Sequence, residues 1–495
     1  MILMASLNLL AYDLGASNGR GILGKFDGNK LTMEELHRFP NSGVDLNGIA
    51  YWATVNIFDQ MKQCIKNARR LGIDRIDSFG IDTWGVDYGL LDKNGQLLGN
   101  PRCYRNAKDE DVSAVFEKVS HEELFKRTGI ASLNFNTIYQ LYKRKREGDA
   151  ALEGADCLLL MPDLLGYFFT GDKVSEYTEV TTTMLYDNEK RDWDWTTIKK
   201  LGIPEHIFTK IDIAGTLRSP MMASVAEELG INRAPLAAVG THDTASAVAA
   251  IPSTGSFAFC SSGTWSLFGT ETAEPVKTDY VFESNFSNEG TVQGGFRPLK
   301  NIIGLWFIQE CRKDWMKEMK RDISWDEIVA ESKKAEPFRT LIDPDFGEFF
   351  SPGKMVEKIK RYSKNTNQPV PETMGEVARC VYESLALKYR WAMERLEEIK
   401  GEKINSLNIV GGGIQNKMLN QMVADAIGRP VITGPIEGAC IGNLLMQAVA
   451  LGELSGIDDV RRVVRSSVEV EEYDSHFDAQ WDDAYGRLLE LIKLS

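Results

Sequence analysis

Two aspartates in this sequence stand where a carboxylate could do proton or phosphate chemistry. Asp243 follows the short apolar run 236–239 in Gly240-Thr241-His242-Asp243-Thr244 and opens an alanine-rich stretch. At a strand end and helix start, the helix dipole and nearby N–H groups hold a carboxylate ionised. An ionised Asp within reach of a hydroxyl takes its proton as that oxygen attacks phosphorus. The same position describes an ordinary N-cap, and position alone favours that plainer reading. Asp13 ends the hydrophobic run Leu7–Leu14, where charge is costly unless compensated. A Mg2+ ion on nucleotide phosphates, held directly or through water, would compensate it, and so would capping of its own turn. Arg20 can pair with phosphate or with Asp13, and both pairings stay open. His242 shapes its surroundings, because Asp243 beside it already supplies a base.

Four small-residue segments follow apolar runs: Asp13-Leu14-Gly15-Ala16-Ser17-Asn18-Gly19-Arg20, His242-Asp243-Thr244, Ser261-Ser262-Gly263-Thr264 and Gly411-Gly412-Gly413. Glycines and small hydroxyl residues let backbone N–H groups approach phosphate oxygens closely. One such loop is simply a turn, whereas four, two of them with Asp, point to a nucleotide. There is no G-x-x-x-x-G-K-[ST], and the glycine triplet is not G-x-G-x-x-G, which disfavours P-loop and Rossmann sites. Asp345-Phe346-Gly347 lacks the other kinase-domain motifs and is a coincidence. The block Gly80-Ile81-Asp82-Thr83-Trp84-Gly85-Val86-Asp87-Tyr88 gathers two carboxylates that accept pairs of sugar hydroxyls and two aromatics that cover a sugar face. Core packing is the strong alternative for the aromatics. Arg105 is a further candidate donor.

These residues need elements to hold them. Strands are expected at Leu7–Leu14, 21–26 and 31–37, forming an antiparallel meander. Apolar residues at Ile57, Phe58, Met61, Ile65 and Ala68 predict a helix over 53–71 with Gly72 at its end. Strands follow at 76–81 and 86–91, so the class is mixed α/β. After 236–239, strands at 256–260 and 264–270 around Ser261-Ser262-Gly263 echo the opening strand–turn–strand. The echo puts a domain boundary near Ser246, giving domains 1–246 and 247–495. Near the end, a strand Ser406–Val410 leads into the triplet, followed by helices over 416–427 and 442–451 with a strand at 431–432 between them.

The 495 residues are 43% hydrophobic and 26% charged, enough for two large domains. The net charge of -14 and the scattered Lys and Arg argue against a nucleic-acid partner. The seven cysteines form neither a zinc pattern nor a CxxC pair and read as reduced thiols of a cytoplasmic protein. Residues 1–10 are apolar but lack a basic flank, so no export leader is expected, and no apolar run is long enough to span a membrane.

Taken together, these motifs resemble the FGGY carbohydrate kinases. The resemblance runs through the Asp13 loop, the Asp82 block, Tyr104-Arg105, Met161-Pro162-Asp163 and Glu176-Tyr177-Thr178. It continues through residues 242–248, Ser261-Ser262-Gly263-Thr264-Trp265-Ser266-Leu267, Asn301-Ile302-Ile303-Gly304-Leu305-Trp306 and Gly411-Gly412-Gly413-Ile414-Gln415-Asn416. It implies two actin-like, ribonuclease-H-like α/β lobes with a catalytic cleft between them, using ATP and Mg2+. In the family pattern Ala16, Ser17, Asn18, Gly19, Arg20 and Thr264 contact ATP phosphates, and Gln309 and Gly412 lie on the nucleotide side. Gly85, His242, Asp243, Thr244 and Asn301 face the sugar, joined by Asp82 and Asp87 from the residue reading. Asp243 is the catalytic base, which reverses the reading from position, and Asp13 serves Mg2+. Similar family members usually have Ser where this chain has Asn18; Asn still donates hydrogen bonds. The implied reaction is phosphorylation of L-rhamnulose at O1, with L-fuculose, L-ribulose or D-xylulose kinases and an actin-like ATPase as alternatives. A monomer or weak homodimer is expected.

Overall fold

The computed structural model describes residues 6–494. The reading of residues 1–10 falls in part on residues 1–5, outside the described residues. The chain forms two compact units that are not contiguous in sequence. The N-terminal unit runs to Pro252 and takes in Glu271–Pro298 and Glu437–Val468; the C-terminal unit holds Ser253–Thr270, Leu299–Ile436 and Glu469–Ser495. A single division at 246/247 therefore differs from the observed one. It falls inside the helix Asp243–Ala249 and misses the two returning segments.

The N-terminal unit is built on β1 (Leu7–Leu14), β2 (Asn18–Phe26), β3 (Leu31–Pro40), β4 (Ser78–Thr83), β5 (Thr216–Pro220) and β6 (Pro235–Ala238). Their order across the sheet is β5-β6-β4-β1-β2-β3. β1 pairs antiparallel with β2 and parallel with β4, β4 is parallel to β6, and β5 closes the sheet antiparallel to β6. Successive β1 side chains point to opposite faces, and both faces are covered. Leu10, Tyr12 and Leu14 pack with Ile57, Met61, Ile65 and Ala68 of the helix Thr54–Arg70. Leu9 and Ala11 pack with Ile441, Leu444 and Leu445 of the helix Gly438–Ala450. That second helix comes from the far end of the chain, in the segment Glu437–Val468 that returns to complete the first unit.

The C-terminal unit repeats the plan with β7 (Phe257–Ser262), β8 (Trp265–Thr270), β9 (Phe296–Ile303), β10 (Ser406–Val410), β11 (Val431–Thr433) and β12 (Glu471–Tyr473). These six run in the order β9-β8-β7-β10-β11-β12, and a seventh strand, Ser287–Gly290, lies beyond β9 at the edge. Polarity matches strand for strand: antiparallel from β9 to β8 to β7, parallel from β7 to β10 to β11, antiparallel to β12. The echo seen in sequence is thus a repeat of six strands, as expected for two ribonuclease-H-like domains. The helix Met374–Lys400, capped by Thr373 and Glu376, packs on β8 through the Phe268–Tyr389 ring stack.

Candidate active site

In the N-terminal unit β1 and β4 end abreast, pairing Asp13 with Asp82 and Leu14 with Thr83. The helix Gly438–Ala450 lays a polar stripe, Cys440, Asn443 and Gln447, across these strand ends, at the spacing that puts side chains on one helix face. Cys440 Sγ–H donates to Asp13 Oδ2 at 3.2 Å, and Asn443 Nδ2–H to Asp82 Oδ2 at 2.6 Å. Arg20 holds Asp13 through two N–H bonds, at 2.6 and 3.0 Å, and pairs on its other side with Glu437. Of the two pairings open to Arg20 in the sequence, the structure shows the one with Asp13. Asp82 is fully buried, and its Oδ1 has no hydrogen-bond partner among the described residues. Burial pushes its carboxyl well above the usual range, with Asp13 and Asp243 adding to the rise against the Asn443 bond. An orphaned carboxylate oxygen beside a second carboxylate fits a hard divalent cation. Among the described residues no group of three or more His, Cys, Asp or Glu could enclose one.

The β1–β2 turn has all its carbonyls taken. Gly15 accepts from Asn41 Nδ2, Ala16 from Arg105, Ser17 from the Asn41 N–H and Asn18 from the Gly15 N–H. Asn18 is exposed and accepts from Arg38 at 3.3 Å, and Gly19 lies against Phe39.

Asp243 begins the helix Asp243–Ala249, with His242 as the N-cap residue, so the carboxylate does not cap the helix. Its side chain is about a third exposed, Thr244 Oγ1 donates to it at 3.1 Å, and His242 Nε2 stands 3.6 Å away. Desolvation pushes the Asp243 carboxyl up and Asp13 adds to this, outweighing His242 and Thr244. Gly85 backs onto His242, since a Cβ there would lie 3.4 Å from Nε2 and 3.3 Å from Thr182. Thr83 bonds to the Thr241 carbonyl, so the Asp82 block and the Asp243 segment are joined.

Asp87 is not available to a sugar. It is fully buried and accepts from Trp52 Nε1 (2.6 Å), Trp84 Nε1 (3.0 Å), the Tyr104 N–H (3.1 Å) and Gln140 (3.1 Å). Burial still pushes its carboxyl to about 6. Asp87 is the bracket of an aromatic frame in which Trp52 and Trp84 lie 4.1 Å apart and Arg105 sits over Trp52 and Tyr104. Trp84 and Tyr88 are buried, as the core-packing reading has it.

In the C-terminal unit Thr264 Oγ1 lies 3.5 Å from Gln309 Oε1, and the Thr264 carbonyl accepts from the Gly304 and Trp306 N–H groups. Gly411 has φ +88° with its Cα against the Ser262 carbonyl, a close approach that a side chain would block. A Cβ on Gly412 would meet open space. Asn301 on β9 pairs with Leu267 on β8 and belongs to this unit, whereas Gly85, His242, Asp243 and Thr244 belong to the N-terminal unit.

Sequence reasoning gave no role to three buried carboxylates. Glu176 Oε2 accepts from both N–H and hydroxyl of Thr178 (2.9 and 2.5 Å) and of Thr241 (3.2 and 2.6 Å), tying down the segment that carries Asp243. Burial pushes it to about 7. Glu179 is fully buried, and neither oxygen has a partner among the described residues. Glu289 faces His242. The Glu176-Tyr177-Thr178 tripeptide is the one signal of them in the sequence.

With this geometry in place, comparison with known proteins identifies the class. The model of the FGGY family of carbohydrate kinases, N-terminal domain, matches residues 8–250, and that of the C-terminal domain matches 258–451. The chain belongs to the FGGY family of carbohydrate kinases. It is similar to a rhamnulokinase of Bacteroides thetaiotaomicron, 41% identical over 97% of this chain and 98% of the relative. It is also similar to a rhamnulokinase of Oceanobacillus iheyensis, 38% identical over 94% and 97%. The ligand-bound xylulose kinase of Lactobacillus acidophilus shares the fold, with a TM-score of 0.82 over 98% of each chain at 15% identity. The protein is thus a sugar kinase with two α/β domains. No helix among the described residues is long and apolar enough to cross a membrane.

Proposed function

We propose that this sugar kinase is an L-rhamnulose kinase of L-rhamnose catabolism, transferring the γ-phosphate of ATP to O1 of L-rhamnulose to give L-rhamnulose 1-phosphate and ADP. The observation that carries the substrate is the near-full-length similarity to two rhamnulokinases. Seven free, buried cysteines accord with work in the reducing cytoplasm.

Asp243 is the base. The O1–phosphorus bond forms as the bond from the γ-phosphorus to the β,γ-bridging oxygen breaks, the O1 proton passes to Asp243, and ADP leaves. A carboxyl raised by burial holds that proton better than a solvated one, so Asp243 is matched to the task. His242, Gly85 and Thr244 orient the sugar, and Asn301 is a further sugar-facing residue. Asp87 supports the aromatic frame. The N–H groups of the Ala16–Gly19 turn, Arg20, Thr264, Gln309 and Gly412 receive the nucleotide. Asp13, through water, and Asp82 would hold Mg2+, which neutralises phosphate charge when bound.

The test is ADP release with MgATP and no sugar, then with L-rhamnulose, L-fuculose, L-ribulose and D-xylulose separately. A selective rise with L-rhamnulose is expected. A larger rise with another ketose overturns the substrate, and sugar-independent turnover overturns the kinase mechanism.

A further inference from the structure

We propose that Glu289 and Arg297 are positioning residues that fix the His242 ring so that Nε2, not Nδ1, is the nitrogen presented to Asp243 and the acceptor sugar. The inference rests on the reading of His242 and Asp243 as sugar-facing. Arg297 has no exposed side-chain surface, a position a guanidinium tolerates only with partners. Its Nε–H donates to the Gly290 carbonyl at 2.8 Å. One terminal nitrogen reaches Glu289 Oε2 at 3.2 Å and His242 Nδ1 at 3.3 Å. Glu289 Oε2 is itself 3.3 Å from Nδ1. The other terminal nitrogen of Arg297 has no partner among the described residues.

Nδ1 therefore lies between an anion and a cation. When Nδ1 carries a proton it donates to Glu289; when it carries a lone pair it accepts from Arg297. The ring keeps one orientation through a change of proton state, which an ordinary single hydrogen bond would not secure. The opposite edge is then set: Nε2 is 3.6 Å from Asp243 Oδ1 and faces Gly85. Two uncharged neighbours complete the setting. Thr178 Oγ1 accepts from the His242 N–H at 3.2 Å, and Thr182 backs Gly85. Burial would raise the Glu289 carboxyl, but His242 and Arg297 hold it below the usual range, so it serves as an anion. A buried ion pair is a weak stabiliser compared with apolar packing of the same volume. Its value here is orientation, as for second-layer partners of other working histidines.

The test is a double-mutant cycle on the full chain with MgATP and L-rhamnulose: wild type, Glu289→Gln, His242→Asn and the pair. Glu289→Gln is expected to raise the sugar KM about tenfold while the ATP KM stays within about twofold. The double variant should be no worse than His242→Asn, because Glu289 acts through that ring. Losses that multiply, or an equal change in both KM values, overturn the proposal. If Glu289→Gln melts out, Arg297→Lys enters the same cycle, with the same coupling expected and its absence equally contradictory. Wild-type turnover separates the two claims. Activity on another ketose fails the substrate reading and moves the cycle to that sugar, and activity on none removes both.

Discussion

Asn443 donates to Asp82 Oδ2 at 2.6 Å across 361 residues of chain. The bond fastens the helix Gly438–Ala450 to the strand ends where Asp13 and Asp82 stand, so this helix of the returning segment is also a wall of the carboxylate site. Asn443 accepts in turn from Gln447, whose carbonyl oxygen takes the Ser78 hydroxyl. Replacing Asn443 by Leu leaves a buried carboxylate with no donor. The expected cost is about 2–3 kcal/mol, seen as a lower thermal midpoint, and adding Asp82→Asn should restore part of it. An unchanged midpoint would mean the bond does not hold the helix.

Glu176 ties stability to pH. Its carboxyl is raised by burial from 4.5 to about 7 in the folded protein. The folded state therefore keeps this proton over a range where the unfolded chain has lost it. The contribution is full below about 4.5 and disappears as pH rises through about 7, a loss of at most about 3 kcal/mol. Glu176→Gln should remove this slope. Melting curves from pH 5 to 8 should show wild type losing ground to the variant as pH rises, and parallel curves would contradict the assignment.

The helix that begins at Asp243 packs directly on the helix Gly438–Ala450, and Gly442 is the point of closest approach. A Cβ there would overlap the Ser246 carbonyl, which is backbone and cannot swing aside. Gly442→Ala should cost about 2–3 kcal/mol and, by shifting Asp243, lower kcat for the sugar about tenfold. Normal kcat in a folded Gly442→Ala protein would show that Asp243 tolerates the shift.

Arg105 joins the aromatic frame to the β1–β2 turn, lying over Trp52 and Tyr104 while donating to the Ala16 carbonyl at 3.1 Å. It is exposed, so its loss should leave stability within about 0.5 kcal/mol. Arg105→Ala should raise the ATP KM about fivefold by freeing the turn, measured by steady-state kinetics. A drop in melting point with unchanged KM would make Arg105 a packing residue only.

Much of this plan is legible in the residues. Alternating or continuous apolar runs placed β1, β4 and β7, and the small-residue turn after β7 announced the repeat of the first sheet. The return of residues 437–468 to the N-terminal unit was not legible, because the apolar face of that helix reads the same whichever sheet it covers. Asp87 shows the same limit at the site. Its neighbours Trp84 and Tyr88 suggested a sugar face, but its four donors come from positions 52, 84, 104 and 140, a convergence no local pattern reveals. Glu289 and Arg297 were silent for the same reason: eight residues apart, they meet over a histidine far upstream.

The most direct test of the central claim is the product itself. Wild type and Asp243→Asn are incubated with MgATP and L-rhamnulose and followed by phosphorus NMR. The account predicts a phosphate-ester resonance coupled to the C1 protons of the sugar, formed one-for-one with ADP by wild type and slowed at least a thousandfold in the variant with nucleotide binding retained. Ester at another carbon, ADP without sugar phosphate, or near-normal turnover by Asp243→Asn would contradict it.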